Sequence, residues 1–227
     1  MLKVTVILPT HNRPDMFLQA LKSYEEQDYP NKELIIVYND CSVEYPKVDG
    51  YKSLCLVTGK SGNIEEAIKI AEGEVITLLH DDDLFFDSGS LTNRMKPFND
   101  SKDVEVVFTS FQTIDKDGNR TSDIKDCGNV SLKRLLEKEY IYYPTMAWRK
   151  EICSKFPVME YDLRAYGDLI FKVHCLFECN CMPVHEPTLL YRVHDGQESC
   201  VFGKDGTTIT ERGLAMQKIR GIIGACL

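Results

Sequence analysis

The chain has 227 residues, 43% of them hydrophobic and 27% charged, so it can bury a core, and disorder is excluded as its default state. A formal net charge of −8 disfavours nucleic-acid backbones and anionic membranes as partners. It equally disfavours a nucleotide diphosphate, unless a helix N-terminus, a basic side chain or a divalent cation compensates locally.

Val4-Thr5-Val6-Ile7-Leu8 reads as a first buried strand that stops at Pro9. It is too short for a secretory leader, and no apolar run approaches the ~20 residues that span a bilayer. A cytoplasmic setting is therefore expected. Phe17, Ala20, Leu21 and Tyr24 fall at i, i+3, i+4, i+7, one face of a helix, with Pro14 at its first turn. Leu34-Ile35-Ile36-Val37 predicts a second strand and Leu54-Cys55-Leu56-Val57 a short third. Ile64, Ala67, Ile68 and Ala71 predict a second helix, with Asn63 as N-cap and Gly73 closing it. Val75 to Leu79 is a strand that empties into His80-Asp81-Asp82-Asp83. Val104 to Phe111 is strand-like, and Asp115 to Asn119 reads as a turn. Leu132, Leu135 and Leu136 mark a helix, and Leu169, Val173, Leu176 and Phe177 another beginning beside Asp168. Leu189 to Val193 predicts a late strand, and Thr208 to Cys226 a last helix. Strands alternating with helices imply an α/β fold with a mixed, mostly parallel sheet covered on both faces. Without repeats or linkers, a single domain is expected. Three stretches are expected within it: residues 1–112, residues 113–200 and a helical extension over 201–227.

In such sheets ligands bind at the carboxyl ends of the strands. Pro9-Thr10, Asn39-Asp40 and Asp81-Asp82-Asp83 all follow strands directly. Three consecutive carboxylates repel one another, and a hard divalent cation with phosphate oxygens would neutralise them; a solvated acidic turn is the plain alternative. Asn39 or Asp40 can accept from a uracil N3–H or simply form a turn. Asp168 can act as a general base or as a helix N-cap. Arg192 and His194 share a strand face, where arginine clamps phosphate and histidine ligates metal. Trp148 can stack on a sugar but reads more simply as core. No GxSxG elbow, GxxxxGK[ST] loop or GxGxxG loop is present.

Taken in order, these motifs resemble family 2 of the glycosyltransferases, with the GT-A fold. Val4 to Arg13 is similar to the family's first strand and nucleotide loop, and Leu34 to Ser42 to its second strand. Ala71 to Asp83 is similar to the approach to its DxD motif, and Leu190 to His194 to a late tyrosine-arginine-x-histidine segment. The resemblance implies an inverting transfer of one sugar from a nucleotide sugar, of UDP type, to a saccharide or glycoconjugate hydroxyl. Asp81, Asp82, Asp83 and His194 would hold Mn²⁺ or Mg²⁺. Pro9, Thr10, Asn12, Asn39, Asp40, Asn63, Asp81 and Arg192 would meet the nucleotide. Asp168 would be the base. Asn39 departs from the usual first Asp of its pair, and Gly167 from the acidic residue that often precedes the base. A non-catalytic nucleotide-sugar binder and a sugar nucleotidyltransferase are the alternative functions, the second weakened by the missing glycine-rich loop.

Nine cysteines, Cys41, Cys55, Cys127, Cys153, Cys175, Cys179, Cys181, Cys200 and Cys226, are odd in number and form no CxxC pair. They read as reduced thiols. Cys175, Cys179 and Cys181 lie near His174 and His185 but lack the paired spacing of structural zinc sites.

Overall fold

A computed structural model of the chain describes residues 1–40, 44–46, 48–56, 60–128, 131–138, 141–159, 163, 165–197 and 207–225. Cys41, Ser42, Val57, Cys200 and Cys226, and Tyr161, Asp162 and Arg164 before Asp168, lie outside the described residues.

Alternation builds the sheet. In β1 (Val4–Thr10) Val4, Val6 and Leu8 join one apolar cluster while Ile7 joins the other. In β2 (Lys32–Tyr38) Leu34 and Ile36 oppose Ile35 and Val37 in the same way, as successive side chains on a pleat must. β3 (Lys52–Cys55), β2, β1 and β4 (Val75–Leu78) run parallel in the order β3-β2-β1-β4. β7 (Met146–Arg149) then runs antiparallel between β4 and β6 (Val106–Ile114). β8 (Cys181–Arg192) lies parallel to β6, and β5 (Leu84–Phe85) closes the edge of an eight-stranded sheet.

Helices cover both faces. α1 (Pro14–Glu25) and α3 (Ser90–Asp100) bury Phe17, Leu21, Leu91 and Phe98 on one side. On the other, α2 (Lys60–Ile70), α4 (Leu132–Lys138), α5 (Gly167–Glu178) and α6 (Thr207–Ala225) bury Ile64, Leu135, Phe171 and Ile219. No helix among the described residues is long and apolar enough to cross a membrane.

Several expectations need correction. α2 begins at Lys60, so Asn63 sits inside the helix rather than capping it. Gly73 lies beyond the end of α2. A Cβ there would come within 2.5 Å of both the backbone nitrogen and the hydroxyl of Thr5, so close approach to β1, not helix termination, requires glycine. Trp148 is wholly buried, stacked on Tyr143 at 5.6 Å, and is core. Cys55 is disulfide-bonded, against the expectation of reduced thiols throughout, while Cys127, Cys153, Cys175, Cys179 and Cys181 are free. β8 is longer than predicted because Pro183, His185, Glu186 and Pro187 break the alternation of its first half. α3, β5 and β7 went unpredicted.

Candidate active site

Parallel pairing of β1 with β2 and β4 brings Thr10, Asn39 and the His80–Asp83 turn to one rim. A cavity of about 430 Å³ opens there. Pro9, Thr10, Asn39, His80, Asp81 and Asp82 line one wall, and Tyr142, Asp168, Lys172 and Tyr191 face it. Asn12, Asp40, Asn63, Asp83, Arg192 and His194 lie outside that lining.

The three carboxylates have three different surroundings. Asp81 closes the loop after β1: its Oδ2 accepts from the Thr10 hydroxyl and the His11 N–H, each at 2.9 Å. Burial pushes the Asp81 carboxyl up, and the Arg13 guanidinium pulls it back down. Asp82 Oδ2 accepts from Arg13 Nη1 at 2.6 Å and meets His194 Nε2 at 3.1 Å. Asp83 is completely buried. Its Oδ1 accepts from the Arg192 N–H at 2.9 Å, and its Oδ2 has no partner. Burial, and then the neighbouring Asp82 charge, push the Asp83 carboxyl well above the usual carboxylate range. An unsatisfied buried carboxylate oxygen is expensive. His80, Asp82 and Asp83 each offer a ligand atom, all within 4.8 Å of one another. A nitrogen and carboxylate oxygens suit Mn²⁺ or Mg²⁺, so this donor set and the orphaned oxygen fit a divalent cation. His80 was not singled out as a ligand from sequence.

Basic groups set the turn. Arg192 is fully buried and lies behind it: Nε donates to Asp82 O at 2.7 Å, Nη1 to Lys116 O at 2.9 Å and Nη2 to Gln19 Oε1 at 2.9 Å. Its guanidinium therefore braces the backbone of the turn instead of closing over the cavity. Arg13, also not assigned a role from sequence, spans Asp81 Oδ1 at 3.0 Å and Asp82 Oδ2, and reaches Gly196 O at 2.7 Å. His194 Nδ1 accepts from the Gly196 N–H at 3.2 Å, which in a neutral ring leaves Nε2 to donate to Asp82. In this arrangement His194 orients Asp82, and ligation by Nε2 would require the other tautomer, which gives up the bond from the Gly196 N–H.

At the end of β2, Asn39 Oδ1 accepts from the amide of the fully buried Asn63. Asn63 thus acts by orienting Asn39. The loop itself is fixed by Tyr45, whose hydroxyl receives the Asn12 N–H at 2.7 Å. Asn12 adopts a φ of 55°, a left-handed conformation asparagine tolerates.

On the facing wall, Asp168 lies in the first turn of α5, whose N-cap is Tyr166, so Asp168 is not the cap. Lys172, one turn on and 1% exposed, holds Asp168 Oδ2 at 2.7 Å. Tyr142 and Tyr191 pack at 4.2 Å and both line the cavity, where an aromatic pair can meet a sugar face.

A mixed α/β sheet that carries the loop after β1, an acidic turn and a facing carboxylate on one rim is the arrangement of a GT-A domain. The same fold is seen in Staphylococcus aureus TarS residues 1–349 in complex with UDP-GlcNAc, at a TM-score of 0.70 with 21% identity, over 87% of this chain and 60% of that one. The chain belongs to glycosyl transferase family 2, whose model matches residues 5–156. It is 27% identical over 155 residues to the GalNAc(5)-diNAcBac-PP-undecaprenol beta-1,3-glucosyltransferase of Campylobacter jejuni, covering 61% of this chain and 47% of that protein. The mannosyltransferase PcManGT from Pyrobaculum calidifontis, in complex with GDP-Man and Mn²⁺, aligns at a TM-score of 0.55 with 17% identity, over 82% of this chain and 55% of that one. The chain thus spans under half of the Campylobacter relative's length.

Proposed function

We propose that this chain is an inverting, metal-dependent glycosyltransferase that moves one sugar from a nucleotide sugar, of the UDP class, to an acceptor hydroxyl in surface polysaccharide or glycoconjugate synthesis. The carrying observation is that Asp83, whose buried Oδ2 has no partner among the described residues, stands within ligand distance of Asp82 and His80. A fold retains such an oxygen where a cation completes it. Asp82, Asp83 and His80 would hold Mn²⁺ or Mg²⁺, which supplies charge neutralisation for a departing diphosphate. Relatives named with UDP-GlcNAc, and with GDP-Man and Mn²⁺, support this reading. A cytoplasmic setting belongs to the same proposal, supported by the five free thiols among the described residues and opposed by the Cys55 disulfide.

Thr10 and Asn39 receive the nucleoside, and Arg13 is placed to pass from the carboxylates to phosphate oxygens. Lys172 fixes one oxygen of Asp168, leaving the other for the acceptor. Asp168 takes the acceptor proton, the acceptor oxygen attacks the anomeric carbon from the face opposite the diphosphate, and the nucleoside diphosphate leaves with the bonding pair. Residues 1–112 form the donor half of this single domain, 113–200 the acceptor half and 201–227 a helical extension.

A thermal-shift screen of UDP-, GDP-, dTDP- and CMP-sugars with Mn²⁺, Mg²⁺ or EDTA tests the proposal. One nucleotide class should stabilise the protein, and only with metal. Stabilisation by none sinks it, and binding without hydrolysis or transfer leaves a sugar-nucleotide binder.

A further inference from the structure

A second cluster of ligand-type side chains lies away from the cavity, where β8 leaves its register with β6. Thr109 pairs with Val184, but Ser110 pairs with Pro187, so His185 and Glu186 form a bulge. Bulges re-aim side chains. On the same stretch of β6, Phe111 bridges Lys125, which brings Asp126 and Cys127 alongside. His185 Nδ1 lies 2.8 Å from Asp126 Oδ1. Cys127 Sγ, on a residue only 4% exposed, donates to Val184 O at 3.3 Å. A nitrogen, an oxygen and a sulfur thus lie within 4.8 Å of one another.

The cluster is braced from behind. The fully buried Ser110 hydroxyl donates to Asp126 Oδ1 at 3.2 Å and accepts from the Cys127 N–H at 3.0 Å. Gly128, at a φ of 58°, donates its N–H to the same Asp126 oxygen at 3.0 Å. Supporting bonds that orient ligands from behind are typical of metal sites. They leave Asp126 Oδ2 uncommitted, and His185 and Asp126 are open to solvent for a water ligand. Sulfur, imidazole and one carboxylate select zinc-class ions over the hard cations suited to the acidic turn.

We propose that Asp126, Cys127 and His185 form a zinc-class site, separate from the active site, that ties the bulge of β8 to the segment after β6. On binding, the Cys127 thiol releases its proton to solvent, and the thiolate exchanges its bond to Val184 O for the metal. The proposal is independent of the transferase reading.

Cobalt(II) titration of the reduced, EDTA-treated full chain tests it, because only sulfur ligation gives an intense near-ultraviolet charge-transfer band. The expected result is a band saturating at one equivalent and displaced by Zn²⁺. It should be retained in Asp83→Asn, lost in Cys127→Ser, and shifted to at least ~10-fold weaker affinity in the exposed-site variant His185→Gln. That last variant keeps the test decisive should Cys127→Ser fail to fold. No band in the wild type, a band surviving in Cys127→Ser, or affinity unchanged in His185→Gln overturns the site. The second outcome would point instead to the free thiols Cys175, Cys179 and Cys181.

Discussion

Replacing Asp83 by asparagine separates what the acidic turn does for binding from what it does to stability. The side chain is fully buried; Oδ1 accepts the Arg192 N–H and Oδ2 has no partner. Asparagine keeps an acceptor for Arg192 and removes the charge. Leaving a buried polar group unsatisfied costs ~1–3 kcal/mol, more when it is charged. A chain of this size gains ~2–4 °C in melting temperature per kcal/mol, so Asp83→Asn should melt about 2–12 °C higher in EDTA at neutral pH. The pH dependence has a definite sign. The folded Asp83 carboxyl is raised above its ordinary value of 3.8, so the folded state binds that proton more tightly than the unfolded chain does. The penalty is complete above the raised value and disappears as pH falls towards 3.8. Metal-free wild type should therefore gain stability relative to Asp83→Asn on acidification through that window. With Mn²⁺ the order reverses, because the variant loses a ligand. Scanning fluorimetry of both proteins, with EDTA and with Mn²⁺ across pH, reads all of this. A variant that melts at or below the wild type in EDTA, or that responds to Mn²⁺ as the wild type does, refutes the reasoning.

Arg13 competes with a divalent cation for Asp81 and Asp82, so Arg13→Ala should bind Mn²⁺ alone more tightly in calorimetry; weaker binding would show that the guanidinium builds the site rather than occupying it. Asp168→Asn should lose most of its turnover and keep its donor affinity, and normal turnover would remove Asp168 from the base role. Glu33 sits at the other end of the strands. Burial pushes its carboxyl up, but bonds from Thr5, the Glu72 and Gly73 N–H groups and Lys52 prevail and take it from 4.5 to about 2. A depressed acid stabilises the fold above 4.5 and loses that contribution as pH falls towards 2. At ~1.4 kcal/mol per pH unit this is worth about 3 kcal/mol. Glu33→Gln should therefore melt roughly 6–12 °C lower at neutral pH, with a flatter acid limb and unchanged donor binding; an unaltered melting temperature would contradict it.

The rim was legible in the sequence because parallel strands put their carboxyl ends together whatever lies between them. Thr10, Asn39 and Asp81 could thus be grouped from chain order alone, before any side chain was placed. The partners of the acidic turn were not legible, because reach across the fold decides them. Arg13 meets Asp82 from 69 residues away, and Arg192 meets the Asp82 carbonyl from 110. No periodicity encodes such a pair. Asp168 shows the opposite limit: local pattern favours the cap over the base, and the start of α5 at Gly167, capped by Tyr166, removes the cap reading. Asn63 was read as a cap for the same local reason and lies inside α2, where it orients Asn39.

These distant contacts account for the charge pattern of the turn. Asp81 has Thr10, His11 and Arg13, and Asp82 has Arg13 and His194. Arg192 is bound to backbone carbonyls and Gln19, and gives Asp83 a single N–H. The protein's own donors therefore satisfy every carboxylate oxygen buried in the turn except one. Asp83 lies within ligand distance of His80 and Asp82, which line the cavity, while Asp83 itself is buried just behind the lining. A net charge of −8 makes a diphosphate an unfavourable ligand without a cation, and the proposed cation would sit by the residue whose buried oxygen, among the described residues, the fold leaves unsatisfied.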